Sequence, residues 1–270
     1  MKRSYGSTIT VVLVVTLIFG LTADGADRKV VACVGASITE GHSLSAEDSY
    51  PAQLQEVLRE YDSEWETRNF GVSATVVIRN APLTAYINTN ACKLALASEP
   101  DVVVIQLGGN DSLPGMWLRK ASFVSDFIAL IDAFAELPSQ PLIFIWLPTP
   151  IFSSPYGHNN NVVKNEIIPL MQQLPAQREV HLIDLYTPFE DKAHLFPDGI
   201  HPNIEGAGLI AEIIAEAIVD LRMPPDFSGD GLVDAEDICI MIENWGTDNQ
   251  LCDIAPPPFG NDIVDVNDLI

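Results

Sequence analysis

The sequence predicts an α/β sandwich, a parallel sheet covered by helices on both faces. Short apolar runs of strand length recur between residues 27 and 222, and amphipathic stretches of helical length separate them. The polar residues able to do chemistry follow those runs or precede the last helix, toward the carboxyl ends of the strands, where such sheets gather their functional groups.

The elements follow in chain order. Lys2 and Arg3 precede a predominantly apolar run over 9–21, and small residues follow at 22–26. This run is shorter than the ~20 residues of a membrane-spanning helix. It is expected to be a signal peptide over 1–26, cut near Gly25 or Ala26, which sends the protein outside the cytoplasm: secreted, periplasmic or at the cell surface. No later segment is apolar enough to span a bilayer, so no stable membrane span is expected after cleavage.

Residues 30–34 form a continuous apolar run ending at Gly35, the pattern of a central parallel strand. Ser49 and Pro51 open a helix carrying Leu54, Val57, Leu58 and Tyr61. A second strand is expected at 65–70, a helix through Cys92, Leu94 and Leu96, and a third strand at 101–106. Ser122 opens a helix with Phe123, Phe127, Leu130, Ile131 and Phe134 on one side. Strands at 142–147 and 181–184 follow, and a helix over 205–221 packing through Leu209, Ile213, Ile214 and Ile218 closes the domain.

The formal net charge of −23 excludes nucleic acid and anionic membrane surfaces as partners, since both demand clustered Lys and Arg. Four cysteines are too few to scaffold an exported protein of this size. Cys33 and Cys92 read as inert core thiols, whereas pairing of Cys239 with Cys252 is left open.

Four segments carry the chemistry: Gly35-Ala36-Ser37-Ile38-Thr39, Asn69-Phe70-Gly71-Val72-Ser73, Gly108-Gly109-Asn110-Asp111 and Asp198-Gly199-Ile200-His201-Pro202. Singly, each reads as well as a turn or a cap. Together they supply what acyl transfer requires. Ser37 offers a nucleophile, His201 a base, and Asp198, three residues earlier, a group to orient it. The N–H groups of Ser37 and Gly71 and the side-chain amide of Asn110 are candidate oxyanion donors. His42, His158 and His194, on polar loops, read as surface histidines rather than metal ligands, and Asp111 as a structural carboxylate. Residues 148–152 follow the fourth strand and read as a pocket wall, while Met116 and Trp117 read equally as pocket border or packing.

In these blocks and their order the chain resembles the SGNH/GDSL hydrolases, over roughly 29–221. The run from Asp48-Ser49-Tyr50-Pro51 through Asn69–Ser73, with 101–105 and 195–198, is most similar to bacterial esterases akin to sialate O-acetylesterases. The resemblance implies a flavodoxin-like three-layer α/β/α sandwich with a five-stranded parallel sheet. It implies a Ser37–His201–Asp198 triad and an oxyanion hole of Ser37, Gly71 and Asn110. It also implies an acetylesterase-like enzyme that needs no cofactor and acts on acylated carbohydrate or another small ester. One departure stands out: Ala36 replaces the family's usual Asp, a change expected to loosen the first block. The alternative is a catalytically degraded SGNH-fold protein that binds or anchors through its tail.

Residues 223–270 contain eleven Asp or Glu and no Lys or Arg. Asp226, Ser228, Asp230, the Leu232 carbonyl, Asp234 and Asp237 fall at positions 1, 3, 5, 7, 9 and 12 of an EF-hand-type loop, with Gly231 at position 6. A helix through Ile238, Ile240, Met241 and Trp245 is expected to follow. The segment resembles dockerin-type calcium repeats, which implies a small helical module with structural Ca2+ and a cohesin-like or matrix partner. A weaker copy at 259–268, with Asp262 where glycine is usual, is expected to be incomplete.

Overall fold

The computed structural model of the chain describes residues 28–222, 227–228, 235–247, 252 and 263–264. The expected signal peptide lies outside the described residues. The sheet consists of β1 (Lys29–Gly35), β2 (Trp65–Gly71), β3 (Val102–Gln106), β4 (Leu142–Leu147) and β5 (His181–Asp184). Its order is β2-β1-β3-β4-β5, with every pair parallel. The expected flavodoxin-like sheet of five strands is therefore the one observed. The order reverses between β1 and β3, and in such sheets a crevice opens at that point beyond the strand ends.

Both faces of the sheet are buried, which explains why β1 is apolar throughout rather than alternating. Val31 and Cys33 enter one core cluster, while Ala32 and Val34 enter the other. The short α1 (Ser37–Glu40) leaves β1, and α2 (Tyr50–Tyr61) then packs beneath the sheet through Tyr50, Leu54 and Leu58. On the opposite face α3 (Asn90–Ala97) buries Cys92 and Ala95. Leu94 is 55% exposed, since it points away from the sheet that Ala95 meets. The small α4 (Pro114–Trp117) leads into α5 (Phe123–Ala135), which buries the five expected residues.

Three short pieces after β4 were not anticipated: α6 (Asn160–Val162), a π-helical turn (Val163–Ile167) and α7 (Ile168–Met171). Pro169 has no N–H to continue an α ladder, which accounts for the irregular register. The last helix of the domain, α8 (Ile204–Arg222), packs beside α2 through Ile210, Ile214 and Ile218, with Leu209 and Ile213 only partly buried. Its small residues Ala207 and Ala211 are fully buried in the same cluster. Among the described residues, no helix is long and apolar enough to cross a membrane.

Within the tail, α9 (Ala235–Glu243) buries Met241 against Val264 and Cys252. The Val264 N–H donates to the Thr247 carbonyl at 2.9 Å, and the Gly246 N–H donates to the Val264 carbonyl at 2.8 Å. Trp245 lies beyond the end of the helix. Cys239 is an exposed free thiol, so it forms no disulfide with Cys252.

Candidate active site

The crevice at the sheet's switch point holds the residues singled out above. Ser37 begins α1 directly after β1, placing its hydroxyl at the carboxyl edge of the sheet. His201 comes from the turn before α8. Its Nε2 lies 2.8 Å from Ser37 Oγ, and its Nδ1 lies 2.6 Å from Asp198 Oδ2. A carboxylate only accepts, so Nδ1 carries the proton and Nε2 is left to accept from the serine hydroxyl.

The turn that delivers this imidazole is built by Asp198 itself. Asp198 Oδ1 accepts the N–H groups of Ile200 at 2.9 Å and His201 at 2.7 Å, an Asx-type closure. Gly199 sits at φ +84, where a Cβ would stand 2.6 Å from the backbone of Ser153, so only glycine fits. Its carbonyl accepts the Phe152 N–H at 2.9 Å, tying the turn to the loop after β4. Burial pushes the Asp198 carboxyl up, but the His201 side chain and the two backbone donors outweigh it and hold the group at about 2. Asp198 is therefore an anion throughout ordinary working pH.

The first block is held more firmly than Ala36 led us to expect. The buried Gln106, last residue of β3, accepts through Oε1 from the Ala36 N–H at 2.9 Å and from the Thr39 hydroxyl at 3.1 Å. Its own carbonyl also receives the Ala36 N–H at 3.2 Å. Thr39 in turn contacts the Tyr50 hydroxyl. A carboxamide from the neighbouring strand thus braces the loop where the family's usual carboxylate is missing. Among the described residues, no protein acceptor takes the Ser37 N–H.

Asn110, after β3, lines the same pocket as Ser37, together with Thr75, Pro148, Thr149, Ile151, His158 and Ile200. The loop after β4 therefore forms the expected wall. Gly71 is not brought there. Its N–H donates to Asn69 Oδ1 at 2.9 Å, and a Cβ at this position would lie 2.6 Å from Glu40 Cα and Thr39 C. Glycine at 71 lets β2 press against α1, and its donor is already engaged. Three residues on, Ala74 adopts the left-handed conformation at φ 59, next to the pocket-lining Thr75.

Asp111 is fully buried and accepts the N–H groups of Val77 and Ile78, pinning the segment that carries Thr75. Burial raises its carboxyl to about 7, against the downward pull of those backbone donors. This is the structural carboxylate expected. Met116 and Trp117 are buried and do not line the pocket; Trp117 Nε1 donates to Glu166 at 2.9 Å.

Two of the three loop histidines turn out to belong to the site. The His42 ring lies 4.3 Å from that of His201, centroid to centroid, because Gly41 at φ 90 turns the chain back after α1. His158 is half-buried, with Nε2 2.9 Å from Asn110 Oδ1 and Nδ1 2.8 Å from Ser154 Oγ. Burial, followed by the neighbouring His201, lowers its pKa. Proximity in sequence to Ser37 gave a signal for His42, whereas nothing local marks His158. His194 is exposed on its own turn. His42, Asp198 and His201 also form a grouping of metal-ligating types, but both ring nitrogens of His201 are already engaged by Ser37 and Asp198.

Residues 33–209 match the model of the GDSL-like lipase/acylhydrolase family. An acetylxylan esterase of Xylanibacter ruminicola is 39% identical over 208 residues, covering 70% of this chain and 42% of that protein. An arylesterase of Vibrio mimicus is 25% identical over 212 residues, covering 77% of this chain and 96% of that one. Among solved structures, Est24, a carbohydrate acetylesterase from Sinorhizobium meliloti, superposes with a TM-score of 0.56 at 20% identity, over 72% of this chain and all of that one. That last likeness bears on the fold alone, while the matched family model spans each of the four blocks. The chain belongs to the GDSL-like lipase/acylhydrolase family.

Proposed function

We propose that residues 27–222 form a serine esterase that removes short acyl groups, acetyl foremost, from carbohydrate. The observation that carries the reading is the continuous relay from Ser37 Oγ through His201 to Asp198, at 2.8 and 2.6 Å. Ser37 Oγ attacks the ester carbonyl carbon while His201 Nε2 takes its proton. The resulting imidazolium is stabilised by the Asp198 carboxylate. Collapse of the tetrahedral intermediate expels the sugar oxygen, which takes the proton from His201 and leaves acyl-Ser37. Water, deprotonated by the same imidazole, then releases the acid and restores the hydroxyl. The Ser37 N–H and the Asn110 amide are assigned to the developing oxyanion; Gly71 has no part in it.

The pocket measures about 30 Å³, room for one or two water-sized groups and thus for an acetyl methyl. The carbohydrate side of the reading draws on the 39% identical acetylxylan esterase. Hydrolysis of p-nitrophenyl acetate by wild type and by Ser37→Ala tests the mechanism, and equal rates would sink it. A panel of acetylated sugars against longer acyl esters tests the substrate class.

The tail is read as a dockerin-like calcium repeat on an exported protein, docking to a cohesin-like or matrix partner. Of the ligand set, Asp226, Asp230, Leu232 and Asp234 lie outside the described residues. Support comes from Asp237, a residue only 2% exposed, whose carboxylate accepts the Ser228 N–H at 2.9 Å, drawing position 12 of the loop onto position 3. All the candidate donors are oxygens, which suits a hard cation. Bound there, Ca2+ would supply the cross-link that a segment with few apolar contacts needs in order to fold. Calcium titration followed by circular dichroism, with Asp226→Ala as control, tests it; an identical response from both proteins would end the claim.

A further inference from the structure

The Asn110 carboxamide is bonded at both ends. Its Oδ1 lies 2.9 Å from His158 Nε2, and its Nδ2 donates to the Thr75 carbonyl at 2.9 Å. An amide oxygen has no hydrogen to give, so Nε2 of His158 must be the donor. The other ring nitrogen, Nδ1, lies 2.8 Å from Ser154 Oγ, which already accepts the backbone N–H groups of Tyr156 and His158 at 3.2 Å each. With its lone pairs so occupied, the Ser154 hydroxyl gives its hydrogen to Nδ1. The hydrogen bonds therefore run one way, from Ser154 through the neutral His158 to Asn110 and on to Thr75. His158, Asn110 and Thr75 all line the pocket that holds Ser37.

That polarity fixes which way the carboxamide faces. One Nδ2 hydrogen is spent on Thr75, and the second remains for a ligand in the pocket. Rotation by half a turn would put Oδ1 in place of the donor, with its lone pairs against a developing negative charge. It would also aim an N–H at His158 Nε2–H and an oxygen at the Thr75 carbonyl, two repulsive contacts. We propose that His158 is a positioning residue that holds Asn110 in the donor orientation, with Ser154 setting the ring's tautomer. This rests on the assignment of Asn110 to the oxyanion. It acts on the transition state more than on substrate binding, because the charge it prepares for appears only when the carbonyl is attacked.

The test is a double-mutant cycle on p-nitrophenyl acetate hydrolysis, with thermal unfolding as the check on folding. His158→Leu should lower kcat by about 10-fold or more, short of the about 10²–10³ for loss of the donor itself, with KM nearly unchanged. In the Asn110→Ala background the same substitution should do almost nothing. His158→Gln, whose amide N–H reaches the place of Nε2, should restore most of the rate. An equal fall in both backgrounds, a rise in KM at constant kcat, or no rescue by Gln would overturn the proposal. Asn110→Ala with unchanged kcat would remove the oxyanion assignment instead, a separate outcome. Should His158→Leu not fold, Ser154→Ala decides: a few-fold fall in kcat that vanishes with Asn110→Ala supports the chain, and no fall or one that persists refutes it.

Discussion

The hydrolase domain and the acidic tail differ in how much apolar surface the described residues of each bury. The domain buries two apolar clusters, one on each face of the sheet, and its polar residues are free to specialise at the strand ends. In the tail the buried apolar cluster among the described residues is Met241, Cys252 and Val264, and α9 leaves Ile238 53% and Ile242 57% exposed. So small an apolar interior does not offset the entropy of ordering a chain, and domains of that size draw on disulfides, metals or partners. Cys239 is a free thiol, and the calcium loop proposed above would be the tail's cross-link. In the domain burial supports the chemistry; in the tail, on the calcium reading proposed above, bound ions would support what burial there is.

Four experiments break or sharpen that contrast. Replacing Ser37 by Ala should cut kcat at least about 10³-fold without altering the melting of the domain, because the hydroxyl carries reaction and not fold. A large drop in stability would blur the separation between core and strand-end residues. Asn110→Ala should lower kcat by about 10²–10³; an unchanged rate would return the residue to a purely structural role.

Chelation is the direct comparison of the two regions. EDTA should unfold the tail and leave the esterase rate of the same molecules intact, and calcium at about 100 times its Kd should return about 2.7 kcal/mol to the tail. Loss of activity on chelation would show that the regions are coupled.

The mildest effect concerns pH. Asp111 titrates at about 7 in the folded chain against its ordinary 3.8, so between those values the native state binds the extra proton. Stability should therefore fall as pH rises from about 4 through 7, and Asp111→Asn should flatten that slope in urea unfolding. An unaltered slope would mean that the buried carboxylate is not what the domain's pH response reports.

Much of this was legible in the sequence because it follows from period and order. The strand at 142–147 and the buried face of α5 are written in uninterrupted or regularly spaced apolar residues. The Ser37 block follows the end of β1 and the Asp198–His201 block precedes the last helix of the domain, both short and in a fixed order. What was hidden depends on distance through space. Gly71 lies four residues before the pocket-lining Thr75, yet its N–H is taken by a side chain two positions earlier. His158 sits forty-eight residues from Asn110 with no motif around it. The π turn before Pro169 blurs the helical period that would have announced it. Which of the apolar residues Cys92, Leu94 and Leu96 would meet the sheet was not legible, because a short helix says nothing of which flank the sheet occupies.

The Gln106 carboxamide also has a bearing on how the enzyme comes into being. It spans from the end of β3 to the loop leaving β1, and Gly35 and Gln106 are register partners. A chain whose central strands paired one residue out of step would point this side chain to the opposite face and leave the nucleophile's loop unbraced. Catalytic competence during refolding should accordingly return only with correct alignment of the two middle strands, so that turnover itself serves as a proofreader of assembly.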